Sequence, residues 1–104
     1  MASPQRENGF TAISNELLSA FLLAELTGTE LTVVLFVMRQ TYGYQKTSDE
    51  IAISQFTKNI KFSRRGIIDA LNVLQRRNIL ICLKKGDRTG ASNVWKINKD
   101  YESW

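Results

Sequence analysis

Arg64, Arg65, Asp69 and Asn72 fall within nine residues, and the spacing puts Arg65, Asp69 and Asn72 on one side of a helix. A guanidinium offers a donor fork that matches guanine O6 and N7 or a phosphate, and an asparagine amide pairs with the donor and acceptor of adenine. The chemistry on offer is hydrogen bonding to base edges, not the making of bonds. Ile68 can touch a thymine methyl, and Gly66 leaves room for the backbone to approach a duplex closely. Around this group stand Lys58, Lys61, Lys84, Lys85 and Arg88, in places suited to phosphate contact, and Arg88 could instead reach into the minor groove.

Each of these residues has a plainer reading beside the functional one. Arg64 and Arg65 can each read a guanine or hold a phosphate. Arg65 is the favoured reader because it shares a face with Asp69 and Asn72, whereas Arg64 lies nearer the helix start at Ser63 and the backbone. Asp69 either accepts from cytosine N4 or clamps Arg65 at i, i+4. Ile68 fits the rim of a core equally well. Arg76 and Arg77, at a helix C-terminus, suit the dipole and the free carbonyls better than DNA. Trp95, with Val94 and Ile97 nearby, reads as a core plug, and the Tyr42 and Tyr44 pair as the closure of a helix end.

Bond-making chemistry finds no residues to do it. Histidine is absent. The single cysteine, Cys82, lies in the apolar run 79–83 as a buried thiol, which also rules out an internal disulfide. Asp49 and Glu50 are adjacent, so on a strand they point to opposite faces and make a poor acid/base pair. No glycine-rich phosphate loop and no metal-ligand spacing occurs. The expectation is a protein that is not an enzyme and needs no cofactor. With no signal-like start and no run of about 18 apolar residues, the expected location is the cytoplasm, away from membranes.

Charge points to the partner. Between Ser54 and Lys99 there are eleven Lys or Arg and two acids, while the first 53 residues hold three Lys or Arg and six acids. A chain so polarised attracts a polyanion, and double-stranded DNA is the expected one.

The elements that must present these residues follow from caps and periodicity. A chain of 104 residues with 43% apolar content allows one domain, taken as 9–104 after a flexible polar tail over 1–8. Ser14 caps a first helix with Leu18, Phe21 and Leu22 at helical spacing. Thr27 and Glu30 make a capping box for a second helix, which runs to about Tyr42 and stops with Gly43 at C′. That helix carries Leu31, Val34, Leu35 and Met38 on one stripe and Val33, Phe36 and Val37 besides. It reads as the central helix, with the surplus on Val33 and Phe36 leaving a homodimer open.

Next come a short strand over 50–53 and a short helix capped by Ser54. A turn at 60–62 leads to a helix from Arg64 to about Arg77, capped by Ser63, with Ile67, Ala70, Leu71 and Leu74 on its buried face. Asn78 ends it in the left-handed conformation. Strands over 79–85 and 93–97 flank a glycine-bearing loop with Arg88 at its tip. The fold class is therefore α+β, a winged helix-turn-helix with three to four helices and a C-terminal β-hairpin wing. Its helix from Ser63 enters the major groove, the groove that distinguishes all four base pairs. Trp104 receives no assignment.

The run from Gly9 to Leu18, then Leu26-Thr27 and Glu30-Leu31, then Arg39-Gln40-Thr41-Tyr42-Gly43-Tyr44-Gln45-Lys46, closely resembles the N-terminal domain of the bacteriophage replication protein O family, the lambda-type origin initiators. The segment from Arg39 to Lys46 is the most specific part. Asp49, Ile51, Ser54-Gln55, the helix after Ser63, the exit Arg77-Asn78-Ile79-Leu80 and the wing also fit in order.

The resemblance implies an origin-binding module that recognises repeated sites, commonly as a dimer, and starts a complex that recruits the replicative helicase. Family members continue into a C-terminal region that engages the helicase machinery, and this chain stops just after the wing. That leaves an excised DNA-binding domain, the favoured reading, or a short stand-alone protein. Two other uses of the fold stay open: a transcriptional regulator, and a docking module for a host or phage protein.

Overall fold

The computed structural model describes residues 1–86 and 92–104, and its helices open where hydroxyls can cap them. Ser14 Oγ accepts from the Leu17 amide (3.2 Å) at the start of α1 (Asn15–Leu23). Before α2 (Gly28–Thr41), Thr27 Oγ1 accepts from the Glu30 amide (3.2 Å) and Glu30 Oε1 accepts from the Thr27 amide (3.1 Å), the full capping box.

The strand β1 covers Ser48–Ile51, two residues earlier than the expected 50–53, because α3 (Ile53–Asn59) begins before Ser54. Ala52 is its cap. An alanine methyl cannot accept a hydrogen bond, so only the return half of a capping box forms, with Gln55 Oε1 accepting from the Ala52 amide (2.8 Å). Ser63 Oγ then accepts from the Gly66 amide (3.0 Å) at the start of α4 (Arg64–Arg76).

Asn78 ends α4 as expected, with φ 63. The Ile79 amide donates to the Leu74 carbonyl and the Asn78 amide to the Gln75 carbonyl, a complete Schellman motif that turns the chain into β2 (Leu80–Lys84). With β3 (Asn93–Ile97), the sheet has the order β1-β3-β2, antiparallel throughout. Asp49, Trp95 and Cys82 stand side by side across it, and Leu80 stands beside Ile97. Between Cys82 and Lys84 the register slips, so Leu83 bulges out and stands exposed.

The core sits between α2, α4 and the sheet. Ile67, Ala70, Leu71 and Leu74 of α4 bury as their spacing requires, against Val33, Val34, Val37 and Met38 of α2 and against Ile51, Leu80, Trp95 and Ile97 of the sheet. Phe56 of α3 closes one end, with its ring 5.1 Å from that of Phe36. The result is an α+β fold with the layout of a winged helix.

Two expected stripes are corrected. On α2, Leu31 and Leu35 are exposed, while Val33 is fully buried and Phe36 packs on Phe56, so Val33 and Phe36 are not a free surplus. The cause is that α4 and two strands press on α2, moving its buried arc to 33, 34, 37, 38 and 41. On α1, Leu17, Phe21 and Ala24 face inward, and Leu18 and Leu22 point to solvent. Phe21 faces inward as expected and meets Trp104, ring centroids 4.7 Å apart.

The segment after α2 also differs from expectation. Helix α2 stops at Thr41, Tyr42–Tyr44 forms a 3-10 turn, and the left-handed residue is Gln45 (φ 59), not Gly43. A Cβ at Gly43 would lie 2.9 Å from Arg39 Nη1 and 3.1 Å from Thr11 Oγ1, so a larger residue there would push the flexible end of the Arg39 side chain aside. Tyr44 does not close the core. It is exposed, with the Arg39 guanidinium 5.1 Å from its ring centroid.

Tyr42 does pack inward, and its buried hydroxyl has no hydrogen-bond partner among the described residues. Burial raises its pKa above the usual 10.0. The unfolded phenol therefore ionises first, so below pH about 10 ionisation costs the fold nothing, and stability is lost as pH climbs from there through the raised value. Tyr42→Phe is expected to keep or raise stability at pH 7, by up to about 1 kcal/mol, and to flatten the loss above pH about 10. Urea denaturation across pH 7 to 11 measures both.

Cys82 is half-buried against the core and not sealed inside it. Past β3, Asn98 is buried and anchors the last turn. Its Nδ2 donates to the Asn78 carbonyl (2.8 Å) and to Ser103 Oγ (2.8 Å), while its own carbonyl accepts from Trp104 Nε1 (2.8 Å). Among the described residues no helix is long and apolar enough to cross a membrane.

Candidate nucleic-acid interface

An amphipathic helix that buries Ile67, Ala70, Leu71 and Leu74 must turn the residues between them outward, and α4 does so. Arg64, Arg65, Asp69 and Asn72 are exposed, while Gly66 and Ile68 lie half-buried at the edge of that face. Ile68 thus sits at the rim, between its two readings. Gly66 meets little: a Cβ there would find only Ser63 Oγ, at 3.2 Å. Ser63, exposed at the cap, fixes where the outward face begins.

The i, i+4 clamp is present. Arg65 Nε and Asp69 Oδ1 are 3.3 Å apart. An exposed pair of this kind adds only about 0.3 to 0.5 kcal/mol to a helix, so its consequence lies in where it holds the guanidinium.

The turn over 60–63 joins α3 to α4, and Ile60 is its buried anchor. Lys58 and Lys61 are exposed before and within it. Lys84 and Lys85 are exposed at the end of β2, beyond the bulge at Leu83, and the Gly86 amide donates to Asn93 Oδ1 (2.8 Å) at the base of the wing. Arg88 lies outside the described residues.

Other cations of the basic half serve the fold. Arg77 donates through Nη2 to the Ala24 carbonyl at the end of α1, a carbonyl partner as expected but on a different helix. Lys99 stands 5.3 Å over the Tyr42 ring. Lys46 pairs with Asp49 (3.2 Å) in the first half, and Glu50 points to the other face of the strand. Among the described residues no group of three or more His, Cys, Asp or Glu is placed to hold a metal ion.

Two neighbours of this surface were not anticipated. Phe62 is an exposed aromatic in the turn, between Lys61 and Ser63, and its flanking by polar residues was a signal that reading 60–62 as a mere connection passed over. Thr27 and Thr29 at the start of α2 line a shallow cleft of about 200 Å³ together with Gly66, Asp69 and Val73 of α4. No local pattern could reveal that cleft, since its two walls are about 40 residues apart in the chain.

Comparison with known proteins bears on what the surface is for. The pattern of the family described as Bacteriophage replication protein O matches residues 3–104. The chain is 33% identical over 98 residues to the DNA replication protein gp18 of Salmonella phage P22, covering 94% of this chain and 33% of that protein. It is 35% identical over 74 residues to Replication protein O of Escherichia phage lambda, covering 71% and 22%. Replication protein 15 of Enterobacteria phage phi80 is 27% identical over 97 residues, covering 93% and 31%. The chain thus spans a third or less of the length of these relatives. With its family pattern matched over nearly its full length, it belongs to the bacteriophage replication protein O family.

Proposed function

We propose that this chain binds double-stranded DNA sequence-specifically at a phage replication origin and so takes part in initiating DNA replication. One observation carries the reading: an exposed helix face with Arg65, Asp69 and Asn72 at its centre, bordered by exposed Lys58, Lys61, Arg64, Lys84 and Lys85. In that reading α4 enters the major groove, Arg65 donates to guanine O6 and N7, and Asn72 pairs with adenine. Ile68 meets a thymine methyl and Gly66 permits the close approach. Lys58, Lys61, Arg64, Lys84, Lys85 and, on the wing, Arg88 hold phosphates. The chain works without catalysis or cofactor, inside the bacterial host.

A homodimer is part of the proposal, formed through apolar residues left exposed on α2, Leu31 and Leu35. Two copies would then read half-sites about one helical turn apart. In the same proposal, contact with the replicative helicase machinery falls to a region C-terminal to this module.

In the docking alternative the basic half meets an acidic partner surface, and a second place also offers itself. An open groove of about 850 Å³ runs between α1 and the last turn, lined by Glu16, Leu23, Arg77, Tyr101 and Trp104. Footprinting across the phage genome separates the readings. Protection of repeated sites at the origin is the expected result. Protection at promoters would make the protein a transcriptional regulator, and the absence of any footprint would favour docking.

A further inference from the structure

The ion pair on α4 carries its recognition chemistry further. Asp69 Oδ1 meets Arg65 at Nε, 3.3 Å away, the inner edge of the guanidinium. The contact is an ion pair and not an aligned hydrogen bond, so it leaves the N–H donors of the two terminal nitrogens for a ligand, and no described residue takes them. They form the fork that guanine O6 and N7 accept. Both side chains stand largely in solvent, 87% and 59% exposed, so the contact biases the fork toward the helix face without tying it into the core.

Asp69 is also an acid in the middle of a surface otherwise built for phosphates. It lines the cleft between α2 and α4 with Glu30, but Glu30 is engaged by the Thr27 amide (3.1 Å). Asp69 is the carboxylate of the two that pairs with Arg65. A long cation at the rim of a groove, if unrestrained, settles on the nearest phosphate, a contact that carries no sequence information. A carboxylate four residues on draws it back over the helix face, and itself repels the phosphates that come within the screening length.

We propose that Asp69 is a positioning residue that sets base preference: it aims the Arg65 fork at a guanine and penalises duplexes that lack one there. With guanine in place, the terminal nitrogens donate to O6 and N7 while Nε stays on Asp69 Oδ1, and the second carboxylate oxygen accepts from the N4 amine of a neighbouring cytosine. Without guanine, the fork has no base partner, and Asp69 still draws it back from the phosphates. This inference rests on the assignment of α4 as the reading helix.

The test selects bound duplexes from a random-sequence pool with the wild-type chain and with Asp69→Ala. Affinities are then measured for the selected duplex and for the same duplex with its preferred guanine·cytosine pair replaced by adenine·thymine. The wild type is expected to select guanine at one position. Asp69→Ala is expected to lose about tenfold of the guanine-over-adenine ratio while binding the adenine duplex more tightly than the wild type does. A gain on the wrong duplex cannot come from misfolding. An unchanged ratio in a selective protein overturns the role of Asp69 and leaves the reading helix standing. Equal weakening on both duplexes overturns it too, as a purely structural effect. A wild type with no preference at all overturns both proposals.

Discussion

Raising salt from about 50 to about 200 mM is expected to weaken duplex binding by this chain roughly 10²- to 10⁴-fold. The range follows from about 4 to 7 phosphate contacts, each releasing close to one counterion. Lys58, Lys61, Arg64, Lys84 and Lys85 are exposed and unengaged by acids among the described residues, and Arg88 adds to them by sequence. Arg77 and Lys99 do not enter the count, because one caps the end of α1 and the other lies over Tyr42. Lys58→Ala or Lys84→Ala should lower the slope of log affinity against log salt by about one and weaken all duplexes alike. Titration of a labelled duplex at four or five salt concentrations gives the slope. A flat response would sink the DNA reading, whatever the protein then proved to bind.

Phe56→Ala is expected to cost about 3 to 5 kcal/mol, a large share of the roughly 5 to 15 kcal/mol that holds a domain of this size together. Phe56 is completely buried and packs on Phe36 (5.1 Å), so truncation leaves a cavity that no neighbour can fill without moving α2. The melting temperature should fall by roughly 15 °C or more. Because α3 carries Lys58 and leads into the turn before Ser63, the variant should also lose duplex binding near its lowered midpoint. Leu22→Ala is the matched control: that leucine is 80% exposed, and its removal should stay within about 0.5 kcal/mol. A Phe56→Ala protein that melts with the wild type would mean the α2–α3 packing is wrong.

What could be read from the chain alone was local. The caps at Ser14, Thr27 and Ser63 and the left-handed stop at Asn78 each depend on a few adjacent residues, and each forms. The outward face of α4 follows from its inward one, so Arg65, Asp69 and Asn72 were placed correctly on the surface by periodicity, and their pairing at i, i+4 came with it.

The misjudged faces have a tertiary cause. In α1 Phe21 belongs to the expected stripe and to the observed one, the doublet Leu17-Leu18 lets either fit, and the inward face runs through Leu17, Phe21 and Ala24 while Leu22 and Leu23 both stay exposed. In α2 almost any stripe would fit, and the partners on either side choose. Gly43 looked like a helix stop because glycine usually is one there, whereas a 3-10 turn carries the chain on to Gln45, which takes the left-handed conformation. The cleft between Thr29 and Asp69 had no sequence signature at all.

The way α1 is fastened bears on the order in which the chain folds. Its inner face is gripped by Trp104 and its last carbonyl by Arg77, partners brought back across 53 residues in the case of Arg77 and more in the case of Trp104. Closing such loops costs entropy that is recovered only after α4 and the sheet have formed the surface that carries those partners. Helix α1 therefore docks late and detaches early. Its amides should exchange with deuterium well before those of α4, and a protease should find the segment between α1 and α2 while the rest of the domain is still intact.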